Sequence, residues 1–414
     1  MFTTEFPVVV ISGGTGTGKT KLSLEIANRF DGEIINADAL QIYNGMDIAT
    51  NKVTEEESQG IPHHLLGFKD IKYLDFSVCE FQSLALQKIN EIKSRKKMPI
   101  VVGGTNYYIE SILWETLFTE NNNKLINSKD YDFDKMSNSE LHSLLNELDF
   151  KTASILHPND RRKVTRAIEI AKNSNQTKFE YFNDEKNTRR FNLNEVIFLW
   201  IYSNPEALFP RLDKRVDDMM NTGLLFELEE IQKLYKNLCP TENYTQGIFQ
   251  AIGFKEFRDY LNYSKDDPVE KEKILSSCIE KLKIANKKYT RTQNQWVKNR
   301  FLKETCETKN IPLFKLDSSD LSKWKENVFL RTVDIINQIR NSRNENSYSD
   351  FVRKLPIKPE PLSDQIKYVA SRNFCEICDN QLFTSIQQWE IHLTSRRHQK
   401  RAKKRKIESI STDS

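Results

Sequence analysis

The stretch VVVISGGTGTGKTKLSLEIA, residues 8–27, sets a glycine-rich turn tipped with lysine between an apolar run and a helical pattern. Val8 to Ile11 is short and β-branched, the composition of a buried strand. From Thr20 onward, Leu22, Leu24, Ile26 and Ala27 are spaced for a helix lying on a sheet. Between them Gly13, Gly14, Thr15, Gly16, Thr17, Gly18, Lys19 and Thr20 fill every position of G-x-x-x-x-G-K-T. Glycines reach backbone angles closed to other residues, so successive N–H groups can converge on an anion at a helix N-terminus, where the dipole also favours negative charge. Lys19 is placed to neutralise phosphate oxygens, and the Thr20 hydroxyl to ligate magnesium. The stretch predicts a di- or triphosphate site and leaves open whose phosphate it holds.

Working outward, strand-like runs recur, and each ends on something chemical. VVVI leads to the glycine loop, EIINAD ends on Asp38, and PIVVGGT ends on Gly103, Gly104 and Thr105. A helical pattern over residues 81–95 lies between the second and third runs. Strands alternating with helices predict a parallel sheet of the P-loop NTPase type, an α/β fold whose ligands gather beyond the strands' C-terminal ends. Asp38 and Thr105 are therefore expected to face the same crevice as Lys19.

Regularity breaks over residues 118–140, which are polar and poor in β-branched residues. Helical patterns resume at LHSLLNELD and DRRKVTRAIEIAKNS, a strand returns at 195–203, and helix follows over 209–235 and 267–301. The expected organisation is a catalytic core over 1–114 and 191–340, interrupted by a helical insertion over 115–190. A tether with three prolines spans 341–366, then a metal-binding module with a basic tail spans 367–406, and a disordered end covers 407–414.

The chain of 414 residues carries 62 Lys and Arg against 58 Asp and Glu, and no apolar run approaches the roughly 20 residues of a membrane span. No secretory or strong mitochondrial leader is read at the N-terminus. Of six cysteines, Cys79, Cys239, Cys278 and Cys306 stand singly, which argues for reduced thiols in an intracellular compartment. The charge is uneven. Residues 396–406, RRHQKRAKKRK, hold eight Lys or Arg and no acid, a composition shared by nuclear-import tails and phosphate-backbone contacts.

That run grows out of C-x2-C followed by H-x5-H: Cys375, Cys378, His392 and His398. Two thiolates and two imidazoles at this spacing suit tetrahedral zinc, with the cysteines on a β-turn and both histidines on one helix. Phe383, Trp389 and Leu393 are the candidate core that zinc nucleates. A zinc-ordered helix running into lysines and arginines favours RNA or DNA contact.

Several stretches in order, GGTGTGKT, INADALQIYNGMDIATNK, GIPHHLL, PIVVGGTNYYIESIL, HPNDRRKVTRAIEI, RLDKRVDDMMNTGL and QAIGFKEF, carry a resemblance to the tRNA dimethylallyltransferase (tRNA isopentenyltransferase) family in its eukaryotic form with a C-terminal C2H2 zinc finger. It spans most of residues 8–301 and then the finger. The resemblance implies that the loop grips the pyrophosphate of dimethylallyl diphosphate and that the acceptor is N6 of the adenosine 3′ of the tRNA anticodon. It implies Asp38 as general base, with Thr20 and Arg215 also acting in catalysis. It further implies that Asp38, Ala39, Leu40, Gln41 and Thr105 touch the flipped nucleotide, and that Arg161, Arg162, Arg166, Arg291 and Gln293 contact RNA or hold its channel. A monomer in the cytoplasm, with mitochondrial and nuclear pools allowed, is the expected state.

Other roles remain open for some of these groups. Arg215 can instead pair with Asp217 or Asp218, DRRKVTR can be a solvated face, and PHH at 62–64 suits a structural turn. The chain also departs from the family where Ala39 replaces a serine and where YTRTQ, residues 289–293, replaces YAKRQ. Two further readings use the same residues: a nucleotide or nucleoside kinase with an RNA-binding finger, and a non-enzymatic nucleic-acid adaptor.

Overall fold

The computed structural model describes residues 6–114, 133–174, 189–192, 195–238, 247–302, 311, 313–341, 370–378 and 381–403. Most of the 118–140 stretch, the tether beyond 341, Cys239, Cys306 and the tail beyond 403 lie outside them. The chain divides into two compact units, Met1–Phe118 with Asn187–Pro359, and Thr119–Lys186 with Glu360–Ser414. The sequence reading separated insertion and finger, whereas this division groups them.

In the first unit, β1 (Val8–Gly13), β2 (Gly32–Asn36), β3 (His63–His64), β4 (Met98–Val102), β5 (Val196–Tyr202) and β6 (Leu313–Asp317) form one sheet in the order β3-β2-β4-β1-β5-β6. Every pairing is parallel. The two-residue alternation of a strand explains why β1 is apolar throughout. Val8 and Val10 pack on one face with helices α2 (Val78–Ser94) and α3 (Asn106–Leu113), while Val9 and Ile11 pack on the other with α1 (Lys19–Phe30).

Two strands escaped the sequence reading. β3 is the PHH turn, now an edge strand only two residues long, and β6 is five residues interrupted by Lys315. Neither is long enough to print a pattern. His64 is a structural group: its Nε2 lies 2.7 Å from Glu33 Oε2, which also accepts from Arg95 at 2.6 Å.

The helical pattern over 209–235 is two helices, because Gly223 at φ +105° ends one and the next begins. After the insertion helices α4 (Asn138–Leu148), α5 (Phe150–Ile155) and α6 (Arg161–Ser174), these two are α7 (Pro205–Asn221) and α8 (Leu224–Leu238). The long helix α9 (Pro268–Trp296) passes into one π-helical turn, Val297–Leu302. Lys287–Asp213 at 2.7 Å and Lys283–Asp217 at 2.8 Å join α9 to α7.

In the second unit, Leu141, Leu145, Ala153, Val164, Ala167 and Ile168 make a small core among α4, α5 and α6. Arg161 donates to the carbonyls of Met136 and Phe133 and to Asn138 Oδ1. Both of its terminal nitrogens thus hold the insertion together. Arg166 pairs with Glu169 at 3.1 Å, and Arg162 is exposed.

Candidate active site and finger

The glycine loop is held from outside by two helices. From α9, Gln293 Oε1 accepts the Thr15 N–H at 2.8 Å and Thr290 donates to the Thr15 carbonyl at 3.4 Å. From α7, Arg215 donates to Thr15 Oγ1 at 3.2 Å. Arg215 therefore turns to the loop, while Asp217 is taken by Lys283. Inside, Thr17 donates to the Gly14 carbonyl at 2.8 Å, and Lys19 Nζ donates to the carbonyls of Gly13 and Gly14 at 3.0 and 2.9 Å. An ammonium resting on its own loop is poised to exchange those carbonyls for phosphate oxygens.

Gly18 begins α1 at φ +98°, and a Cβ there would stand 2.6 Å from the Trp324 ring. Trp324 is itself fixed by Glu25, whose Oε2 accepts its indole N–H at 2.9 Å. Gly18→Ala is expected to lower stability by roughly 2–5 kcal/mol, from the left-handed backbone and the overpacked ring together. Thermal or denaturant unfolding reads it, and an unchanged midpoint removes Trp324 as the loop's floor.

Asp38 follows β2 on a loop clamped against β4. The Ala37 N–H reaches the Val102 carbonyl at 2.8 Å, and Gly103 passes so close that a Cβ would stand 2.1 Å from the Ala37 carbonyl oxygen. Thr105 Oγ1 accepts the Ala39 N–H at 2.9 Å. Asp38 spends Oδ1 on the Leu40 N–H at 3.1 Å, and its Oδ2 lies beside Gly104.

A cleft of about 310 Å³ joins these parts, lined by Gly16, Gly18, Lys19, Thr20, Asp38, Gln41, Arg215 and Gln293 among others. A second cavity of about 350 Å³ shares Thr15, Asp38, Thr50, Arg215 and Tyr289 with it, and continues over Ala39, Leu40, Thr105 and Asn286. The carboxylate stands where the two meet. Its charge is felt on every side. Burial lowers Lys19 to about 8, with Asp38 opposing and Arg215 adding to the fall. Burial likewise lowers Arg215 to about 10 against the pull of Asp38, and burial and then Asp38 push the Tyr289 phenol above its ordinary range.

Three of the residues expected to touch the nucleotide or the RNA channel also make contacts within the protein. The Gln41 amide nitrogen donates to the carbonyls of Thr50 and Asn51, which leaves only its oxygen for a base. Gln293 is buried, joining Thr15 to the Gly104 carbonyl as a strut between the two loops. Arg291 lies over the Phe209 ring at 4.9 Å and lines neither cavity. Tyr289 and Trp324 were missed by the sequence reading. Tyr289 stands in YTRTQ with Arg291 and Gln293, and no spacing marks it out.

In the second unit, β7 (Ala370–Cys375) and β8 (Gln381–Ser385) form an antiparallel hairpin followed by α10 (Ile386–Thr394). The metal-binding atoms of Cys375, Cys378, His392 and His398 all lie within 4.8 Å of one another. His398 Nδ1 is 3.4 Å from Cys375 Sγ and 3.1 Å from His392 Nε2, separations that suit one tetrahedral zinc. The histidines are not on one unbroken helix. Six steps of about 100° would set them about 120° apart. The chain bends at Ser395, whose hydroxyl accepts the His398 N–H at 3.2 Å and starts a new turn. Phe383 packs on Trp389 and His392, but Leu393 is exposed, with Ile377 taking the place expected of it.

Fold and site together define a parallel α/β protein that puts a glycine-loop anion cradle and a carboxylate in one cleft, with a zinc-finger module appended. The chain belongs to the IPP transferase family, whose sequence model matches residues 41–300, and a zinc finger of C2H2 type matches residues 374–398. It is 36% identical to the tRNA dimethylallyltransferase of Mus musculus, over 97% of this chain and 86% of that protein. It is 35% identical to that of Homo sapiens over the same shares. Among solved structures, a eukaryotic dimethylallyltransferase acting on tRNA aligns with TM-score 0.80 and 32% identity, covering 99% of each chain.

Proposed function

We propose that this chain transfers the dimethylallyl group of dimethylallyl diphosphate to N6 of the adenosine 3′ of the anticodon in tRNA, releasing diphosphate. The observation that carries the reading is the placement of Asp38 at the junction of two cavities, one ending on the glycine loop and the other opening away from it. Two substrates can then enter separately and meet at one carboxylate.

The adenine N6 lone pair is delocalised into the ring, so the amine attacks the allylic carbon well only if its proton leaves as the bond forms. Asp38 Oδ2 is the acceptor for that proton. The C–O bond to the diphosphate breaks on the other side, and the charge growing on the leaving oxygen is met by Lys19, Arg215 and the loop amides. Thr20 lines the cleft beside Lys19, and its hydroxyl is of a type that would hold magnesium. That ion supplies further charge neutralisation to the diphosphate when bound. The base is everted to reach Asp38, at a cost of a few kcal/mol offset by pocket contacts. Ala39, Leu40 and Thr105 line the cavity that would receive it.

The finger, with Arg396, Arg397 and Lys400 exposed beyond the bend, serves as a backbone clamp on the same tRNA. The protein acts as a monomer in the cytoplasm, with mitochondrial and nuclear pools allowed. Incubation with magnesium, labelled dimethylallyl diphosphate and unmodified tRNA tests the transfer. Label entering the RNA supports it; label entering only from the γ-phosphate of ATP would replace it with a kinase.

Cys378→Ser is expected to unfold the finger, because zinc supplies most of the folding free energy of such a module. KM for tRNA should rise and the salt dependence of binding weaken, with turnover at saturating tRNA retained. Vanished turnover at saturation would refute the clamp.

A further inference from the structure

The second cavity does not end at Asn286. Through Ile252, Lys255 and Tyr289 it opens into an outer groove of about 550 Å³, lined on one side by Ile252, Lys255 and Glu256 and on the other by α9. Lys281, Ile284, Ala285, Lys288 and Thr292 recur there at three- and four-residue steps, so they share one face of the helix. Tyr289 lines all three spaces.

The lysines of this region fall into two groups. Lys281 is held by Asp259 at 2.6 Å, Lys283 by Asp217 at 2.8 Å and Lys287 by Asp213 at 2.7 Å. Lys255 and Lys288 are exposed and have no ion pair among the described residues. The one acid among the residues that line the groove, Glu256, turns a carboxylate oxygen to the Gly253 N–H at 2.8 Å. In the same groove lining Ile284 leaves 63% of its surface exposed, an apolar side chain on which a charged ligand's uncharged part can rest.

We infer that Lys255 and Lys288 form a phosphate clamp at the mouth of the acceptor cavity, gripping the single-stranded RNA that flanks the everted nucleotide. The inference rests on the transferase reading above and extends it to the RNA path. A base drawn into the second cavity leaves its flanking phosphodiesters at this mouth. Cations already neutralised by acids gain little from them, whereas these two do not first have to break an ion pair. Ile284 then lies under the sugar or base of a neighbouring nucleotide.

The test uses the full chain, with labelled dimethylallyl diphosphate and unmodified tRNA, over a range of salt concentrations. In the Lys255→Ala/Lys288→Ala variant, KM for tRNA is expected to rise on the order of tenfold at about 0.15 M salt, with the effect on KM and not on kcat. The slope of log affinity against log salt becomes shallower by about 1.4, or about 0.7 for each single-strand phosphate that a lysine no longer neutralises. Lys255→Arg/Lys288→Arg restores the slope, since charge is what the phosphates read. An unchanged slope in the alanine variant, with the wild-type chain still labelling tRNA, overturns the clamp and leaves the function standing. A wild-type chain that labels no tRNA removes the function and the clamp with it.

Discussion

Asp38→Asn is expected to lower turnover on the order of 10²–10⁴-fold while tRNA still binds. The substitution is nearly isosteric, and the amide oxygen can still accept the Leu40 N–H that Asp38 Oδ1 now accepts at 3.1 Å, so the loop keeps its shape. What disappears is the group that takes the N6 proton, together with the negative charge that draws against burial on both Lys19 and Arg215. Single-turnover transfer and a separate tRNA binding curve divide the two effects. Full retained turnover removes Asp38 as the base, and lost tRNA binding makes it a structural acid instead.

Lys19→Ala is expected to lower kcat/KM for the donor on the order of 10²–10³-fold, because it deletes a fixed charge aimed at the leaving diphosphate in a site largely screened from water. The same lysine predicts a pH dependence. Burial brings it from its ordinary 10.5 to about 8 in the folded chain, with Asp38 opposing and Arg215 reinforcing. The charge is therefore present at neutral pH and is lost as pH rises through about 8, so kcat/KM for the donor falls above that point. Stability runs the other way. Between about 8 and 10.5 the unfolded chain binds the proton that the folded chain has released, so the free energy of unfolding increases with pH across that window. The alkaline limb should be absent from any residual Lys19→Ala activity, and a limb that persists there belongs to another group.

Much of the site lies in short-range pattern. The strand Val8–Gly13, the glycine loop and the carboxylate after β2 are each written within a few residues, because a buried parallel strand must be continuously apolar and a helix N-terminus must present bare amides to hold an anion. The ligand set of the finger was equally legible, since tetrahedral zinc accepts few donor types. The bend at Ser395 was implicit in the same spacing, because histidines six residues apart cannot both face one ion from a continuous helix. The edge strand His63–His64 and β6 lay below that resolution, being too short for any period to repeat.

The employment of Gln293, Gln41, Tyr289 and Trp324 lay beyond any local reading. Thr15 and Gln293 stand 278 positions apart, yet their hydrogen bond of 2.8 Å ties the glycine loop to α9. Trp324 reaches under Gly18 from beyond β6. Which glutamine becomes a strut and which lysine stays unpaired depends on where α7 and α9 cross the sheet, and that crossing is fixed by packing among many side chains rather than by any one stretch. Chemistry confined to a turn is therefore legible in the chain. The second partner of each polar group became known only when the helices had closed over it.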